Sequence, residues 1–535
     1  MLKHNLRIFI PVLISATLFT LSVPNILFPS GSAILGLFCL SPILLSLYRS
    51  RKTKTVMIQG FMYGIITTIS CNYWLLFFQD FSLWTLLGVS LVNLAYSGFL
   101  FLVLQHCSKV PSRYRPSVIA IIWVTYEFLK SSGYLAYPSG LLAYPFHSIL
   151  PVIQFIDITG IWGLSFFIAL INSTIAEWLY YLTNSNNLFV ARKRSHLPLH
   201  DSLVIVFLTI LAITYGYNRL GEEKIVKGEI DIVLVQHNSN PWLSSPVANT
   251  LSTLQRLTLE GINQNPKLPD LIVWSETALR FPPTEKYKKY YSKTPEDYPF
   301  LDFLSELPVP LLTGTPWIVN DDPIEAMNAS VLLSSQGEVL IFYGKQHLVP
   351  FAESIPFWEV AFIQKFFREI IGLQAVWTAN NEPKVFSLVT KDKVKINFST
   401  PICFEDMFPN INRKFVSMGA DLLINLTNDA WSQTRSAEVQ HFVAAKFRAI
   451  ENRKPLVRGT NGGVTTAIDP WGRIIGNKIA PLFEEYALRV MVPFYGINIS
   501  PYTKYGDYFP TILLILSMVI ILRDYFSKFF HWKKS

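Results

Sequence analysis

Cys403 is the residue in this chain best suited to covalent chemistry. It sits in Ser399-Thr-Pro-Ile-Cys-Phe-Glu-Asp406, just after an apolar run that reads as a strand. A thiol at a strand-to-turn junction can project into a cleft as a nucleophile. A free thiol with a pKa of about 8.5 is only a few per cent ionised at neutral pH, so it needs a base or a cation nearby. Two upstream residues could supply them. Glu276 ends the apolar stretch Leu271-Ile-Val-Trp-Ser-Glu, where a carboxylate is costly without partners, and Lys345 follows the run that ends at Tyr343-Gly344. All three candidates therefore stand at strand ends, the usual location of a site in an α/β sheet. Pairing Cys403 with His347 is a second catalytic arrangement open at this level. His237, His347 and His441 lack zinc-like spacing, and the chain has no glycine-rich phosphate loop, so neither a metal nor a cofactor is expected.

The elements that must position these residues divide the chain into two kinds of sequence. Half of the 535 residues are hydrophobic and 16% are charged, against about 25% charged in a soluble domain; mean hydropathy is +0.32. A membrane-spanning helix needs roughly 20 apolar residues. Seven candidate spans precede residue 218, near 6–23, 26–48, 56–79, 83–105, 116–130, 158–181 and 202–217, and an eighth covers 509–522. The apolar stretch 141–157 carries two prolines and reads as interfacial or re-entrant rather than spanning. Between 218 and 508 the pattern changes to short apolar runs at 229–236, 270–275, 309–319, 329–334, 338–344, 394–402, 421–427, 455–460 and 464–468. These alternate with amphipathic stretches at 247–264, 357–371 and 435–453, which predicts an α/β layered domain with a largely β core. The expected organisation is a seven-helix membrane domain over 1–217, a catalytic domain over 218–508, and a closing helix with its tail over 509–535.

Charge gives this organisation a direction. Residues 1–217 hold 13 Lys and Arg against 5 Asp and Glu, 218–508 hold 29 against 31, and 509–535 hold 4 against 1. The basic residues fall in alternate connections: Arg49–Lys54, Lys109–Arg115, Arg192–Arg194 and Lys528–Lys534. By the positive-inside rule both termini face the cytoplasm and the large domain lies on the far side. The net charge of +9 thus reports orientation and implies no nucleic-acid partner. Cys39 and Cys71 fall in proposed spans and Cys107 just past the end of another, which leaves Cys403 without a disulfide partner in the exported domain. A transporter or receptor would need polar groups inside the spans. Glu127 and Glu177 are candidates, but each lies near a span end, where it can snorkel or face a cleft.

The segments Trp274-Ser-Glu-Thr-Ala278, Lys345-Gln-His-Leu-Val-Pro-Phe-Ala-Glu353 and Ile402-Cys-Phe-Glu405 resemble the Glu, Lys and Cys motifs of the nitrilase superfamily. Asn425-Leu-Thr-Asn-Asp-Ala-Trp431 and Arg448-Ala-Ile-Glu451, with the spans on either side, resemble more narrowly the apolipoprotein N-acyltransferase family. The resemblance covers the whole chain. It implies a nitrilase-like αββα sandwich in the periplasm, carried by a multi-pass protein of the bacterial inner membrane, which is expected to be a monomer. It also implies a reaction, in which an acyl chain passes from a phospholipid through a thioester to the α-amino group of a diacylglyceryl-cysteine apolipoprotein. Glu276 is then the base, Cys403 the nucleophile and Lys345 the oxyanion partner, joined by a backbone N–H near Phe404; Glu353 and Glu405 are supporting residues. A membrane-anchored amidase using the same three residues is the alternative. Within 356–372, Trp358, Phe362, Phe366 and Ile370 recur every four residues, so a helix there is expected either to guard lipid access at the interface or to pack as ordinary core.

Overall fold

The computed structural model describes residues 2–78, 82–184, 197–223, 225–240, 247–321, 324–371, 377–496 and 498–532. Arg192, Lys193, Arg194, Lys533 and Lys534 of the charge pattern lie outside these. The chain forms two compact units, one of Met1–Leu76, Ser82–Gly221 and Tyr505–Ser535, the other of Phe77–Phe81 and Glu222–Lys504.

The first unit is helical. Leu83–Cys107, Ile161–Thr183 and Leu199–Gly221 are long and apolar enough to cross a membrane, and shorter apolar helices cover Ile8–Ser22, Ala33–Arg49, Leu150–Thr159 and Tyr508–Arg523. Leu203, Val206, Phe207 and Ile210 are exposed along one of the long helices, an outer face suited to lipid. The expected continuous span over 26–48 is instead two short helices, Ala33–Gly36 and Ser41–Arg49. The break falls just before Pro42, which can begin a helix but not continue one; the Asn172 side chain accepts from Leu40 N at 2.8 Å and donates to Gly36 O at 2.9 Å, satisfying backbone groups that the break exposes. Residues 141–157 likewise form short turns, Tyr144–Phe146, Leu150–Ile153 and the start of Ile156–Thr159. Glu177 does not snorkel: it pairs with Arg115 at 3.0 Å inside the unit. Glu127 is buried, accepts from Leu142 N at 2.9 Å and lines a cavity of mixed character with Lys130, Tyr137 and Trp123.

Among its described residues the second unit contains twelve strands: β1 (Val226–Gln236), β2 (Leu271–Trp274), β3 (Leu311–Asp321), β4 (Ile324–Leu333), β5 (Val339–Gly344), β6 (Phe386–Val389), β7 (Lys395–Ser399), β8 (Leu422–Thr427), β9 (Leu456–Thr460), β10 (Thr466–Ile468), β11 (Ile474–Ile479) and β12 (Tyr486–Tyr495). They make two six-stranded sheets, β12-β1-β2-β3-β4-β5 and β11-β10-β9-β8-β7-β6. Both are mixed. β1, β2 and β3 run parallel in one, as do β7, β8 and β9 in the other, and the outer pairings are antiparallel. Every residue of β2, β8 and β9 is buried, as expected for parallel strands covered on both faces. The sheets meet where Gly459 of β9 faces Val273 of β2; a Cβ there would lie 2.9 Å from Val273 Cγ1, so the close approach needs glycine. Helix Val247–Asn263 turns Leu251, Leu254 and Leu257 onto one sheet, where Trp274 packs against Phe300 and Phe303. On the other side runs helix Arg435–Asn452, opened by the Thr434 side chain and closed at Arg453 in the left-handed region.

Three strands escape the sequence reading. β6 is four residues long, and β11 is an exposed edge through Gly476, Asn477 and Lys478. β12 contains Arg489, whose charge is neutralised only in the fold, by Asp231 of β1 at 2.7 Å.

Candidate active site

The chain leaves β2 at Trp274 and turns at once, with Thr277 at φ 49°. Gly314 of β3 lets this turn lie against the sheet: a Cβ there would sit 2.5 Å from Thr277 N and 2.6 Å from Glu276 Cα. Two backbone bonds, Gly314 N to Ser275 O at 3.1 Å and Leu279 N to Gly314 O at 3.0 Å, fix the turn. Lys345 follows β5 directly; its own N–H donates to Asn328 O at 2.8 Å, and its side chain is fully buried.

These two loops bring their charges together. Lys345 Nζ lies 2.8 Å from Glu353 Oε1 and 3.4 Å from Glu276 Oε1. Asn328 on β4 donates to both carboxylates, at 2.7 Å to Glu276 and 3.1 Å to Glu353. Asn428 N donates to Glu276 Oε2 at 2.8 Å, and Val349 N to Glu353 Oε2 at 2.8 Å. Burial raises the Glu276 carboxyl above the ordinary range; Lys345 opposes this and Glu353 adds to it. Burial works against the Lys345 ammonium, but Glu353 and Glu276 overcome it and hold the proton firmly. The result is one cation shared by two carboxylates.

Cys403 begins a 3₁₀ turn, Cys403–Met407, with φ 48°. A non-glycine residue rarely adopts this conformation, and such strain collects at functional positions. Its thiol is pushed well above its ordinary value, first by burial and then by Glu276, while Lys345 pulls the other way. The thiol thus senses both residues of the neighbouring cluster and rests protonated.

Glu405 is completely buried and staples the turn to the loop after β5. Its Oε1 accepts from Gln346 N at 2.6 Å, Tyr343 OH at 2.8 Å and His347 N at 3.2 Å, and its Oε2 from Ile402 N at 2.7 Å. Burial raises this carboxyl to about 7, against the pull of those donors. Phe404 and Phe408 pack edge to face beside His347, whose ring lies 4.1 Å from that of Phe408. Burial and Lys345 lower His347 to about 4, so it is neutral; Glu276 and Lys345, rather than His347, dominate the electrostatics of the thiol.

The sequence reading missed Asn328 altogether. It also left without roles Asn425, Asn428 and Asp429, although the segment holding them had stood out, and it considered His441 only as a zinc ligand. None is conspicuous by type or spacing, because each acts through contacts from another element. The expected helix over 357–371 is corrected: the α-helix is Ala361–Phe366, followed by a π-turn over Phe367–Ile371. Trp358 therefore precedes the helix, half-buried beneath Arg368 at 5.1 Å, while Phe362 is 76% exposed and Phe366 half-buried. Phe357 at φ 61° interrupts the four-residue period.

Two mixed sheets with a cysteine, a glutamate and a lysine at strand ends define the carbon–nitrogen hydrolase class of fold. The Carbon-nitrogen hydrolase family profile matches residues 234–488, and that of the Apolipoprotein N-acyltransferase N-terminal domain matches 15–174. Apolipoprotein N-acyltransferase 2 of Treponema denticola is 37% identical over 515 residues, covering 95% of this chain and 96% of that protein. Apolipoprotein N-acyltransferase 2 of Treponema pallidum is 34% identical, covering 92% and 91%, and apolipoprotein N-acyltransferase of Borreliella burgdorferi is 31% identical, covering 98% and 96%. The chain belongs to the apolipoprotein N-acyltransferase family and is an acyltransferase.

Proposed function

We propose that this protein transfers an acyl chain from a membrane phospholipid to the α-amino group of a diacylglyceryl-cysteine apolipoprotein, through a thioester on Cys403. The observation that carries the reading is the buried Glu276–Lys345–Glu353 cluster, whose charges act on a thiol held at a strained turn. Glu276 accepts the thiol proton as sulfur attacks the ester carbonyl. Lys345 and the Phe404 N–H stabilise the oxyanion. Collapse breaks the C–O bond, and the lysophospholipid leaves with the proton returned by Glu276. The acceptor amine then attacks the thioester and gives its proton to Glu276; the C–S bond breaks and the thiolate is reprotonated. Glu353 keeps Lys345 charged and in place, and Glu405 holds the cysteine turn.

In this reading residues 1–217 form seven spans, the second broken into Ala33–Gly36 and Ser41–Arg49, 218–508 the catalytic domain on the periplasmic side, and 509–535 the closing span of an inner-membrane protein. Three long apolar helices and family membership support a membrane location. Trp358, Phe362 and Phe366 line the route by which lipid reaches the site; the exposure of Phe362 supports that role. The test is peptide mass spectrometry of detergent-solubilised full-length protein after incubation with phospholipid of defined acyl composition. A hydroxylamine-labile acyl mass on the Cys403 peptide, absent from Cys403→Ala, is expected. An adduct that persists in Cys403→Ala refutes the assignment, and ammonia release without acyl transfer would indicate an amidase.

A further inference from the structure

Behind the Cys403 turn lies a second set of buried charges that the proton transfers above do not use. Asp406, in the same turn, pairs with Arg458 of β9. Arg458 also reaches Asp429 Oδ2 at 3.1 Å, in the loop after β8. His441, on helix Arg435–Asn452, closes the ring: its Nδ1 lies 2.8 Å from Asp429 Oδ1, and its Nε2 lies 2.8 Å from Asp406 Oδ1. Asp406 and Arg458 are fully buried, and Asp429 nearly so. Glu438 stands beside them, also buried, accepting from Ser432 Oγ at 2.7 Å. Burial and Asp429 hold the Glu438 carboxyl well above its ordinary value, which favours its protonated form. Within the ring itself, His441 and Arg458 face Asp406 and Asp429.

The same His441 Nε2 donates to the Cys403 carbonyl at 3.3 Å, and Asn425 Nδ2 donates to that oxygen at 3.2 Å. With acceptors facing both ring nitrogens, His441 must carry two protons. Asp406 and Asp429 raise it to about 10 despite burial, which alone would lower it. A trans peptide is planar, with its C=O and N–H pointing in opposite directions. Fixing the Cys403 carbonyl therefore fixes the direction of the Phe404 N–H. An outside hold is needed, since the left-handed region is strained for a non-glycine residue and Cys403 sits at φ 48°.

We propose that His441 is a positioning residue for acyl transfer: its imidazolium, seated between Asp406 and Asp429, clamps the Cys403 carbonyl together with Asn425 and so aims the Phe404 N–H at the oxyanion. The inference rests on Cys403 being the acylated nucleophile, as read above. It separates two things that a thiol can do. Acylation by an ester builds an oxyanion and needs the clamp; alkylation by iodoacetamide displaces iodide at a saturated carbon and builds none.

The experiment compares His441→Leu and Asn425→Ala with the unsubstituted full-length enzyme. It follows the Cys403 acyl adduct in single turnover and Cys403 carbamidomethylation at the same pH, both by mass spectrometry. The expected result is acylation slowed about 10- to 100-fold, the scale of a small misplacement of a reacting group, with the alkylation rate within about twofold and KM for phospholipid unchanged. Asn425→Ala leaves the ion ring untouched, so it carries the test if His441→Leu fails to fold. Unchanged acylation in the folded variants, or alkylation falling in parallel with acylation, overturns the proposal. If the unsubstituted enzyme alkylates at Cys403 yet acylates elsewhere, the nucleophile assignment falls and the clamp falls with it.

Discussion

Lys345→Met isolates the central electrostatic claim about the site. The ammonium is fully buried between Glu276 and Glu353, at 3.4 and 2.8 Å. Methionine matches its length and removes its charge, which leaves two carboxylates facing each other in the interior. Breaking a buried pair by removing one partner costs about 3–5 kcal/mol. At about 2–4 °C per kcal/mol for a domain of this size, the apparent Tm should fall by roughly 10 °C near neutral pH. The loss should depend on pH with a definite sign. Burial already raises the Glu276 carboxyl in the intact cluster, and Lys345 opposes that rise. Without the ammonium the folded pKa climbs further above its unfolded value, so the folded state binds the proton more tightly. Stability is then retained at low pH and lost as pH rises through the folded pKa. The deficit relative to the unsubstituted protein should be larger at pH of about 8 than at about 5.5. Adding Glu353→Gln removes one stranded charge and should recover part of the loss. Differential scanning fluorimetry of the detergent-solubilised protein, read through tryptophan fluorescence, follows all of these. An unchanged Tm for Lys345→Met at both pH values, or a double variant less stable than the single one, would refute the shared-cation account.

Two further expectations concern turnover. Glu276→Gln should slow acyl-enzyme formation severely, because the amide cannot accept the thiol proton. In the unsubstituted enzyme the acid limb of kcat/KM should lie above the ordinary carboxylate range, since burial raises Glu276; activity is present above that pKa and falls as pH drops through it. A limb at the ordinary glutamate value would contradict the assignment. Trp358→Glu should reduce turnover of bilayer-embedded phospholipid several-fold without lowering the Tm, and unchanged turnover would leave this segment as ordinary packing.

What could be read along the chain follows from how local each determinant is. β2 and β8 show as apolar runs because every residue in them is buried. Helix Arg435–Asn452 shows because its apolar positions keep a helical period. Glu276 and Lys345 drew attention as charges at the ends of such runs, and they lie 3.4 Å apart. The unread features depend on distant partners. Arg489 made β12 look unlike a buried strand, yet its partner Asp231 lies on the neighbouring strand β1. Within 26–48, Pro42 signals a possible break, but nothing there announces that Asn172 will serve the groups the break exposes. Asn328 is one asparagine among many until β4 carries it between two carboxylates.

The Cys403 turn shows why the candidate site was only partly legible. In front of it, the cluster of Glu276, Lys345 and Glu353 holds one cation against two carboxylates. Behind it, Asp406, Asp429, His441 and Arg458 are matched in charge. The front cluster therefore resists a second negative charge on sulfur in the resting state, in keeping with a thiol pushed upward by burial and Glu276. In the proposed reaction, ionisation becomes favourable when Glu276 takes the proton and the new charge moves at once onto an ester oxygen facing Lys345. On this account the sulfur is activated by its substrate, and the rear network contributes geometry while its Asp429 adds to the upward push on the thiol. A sequence displays the front residues, because chemistry demands their types. It hides the rear ones, because several combinations of charge could hold the same peptide plane.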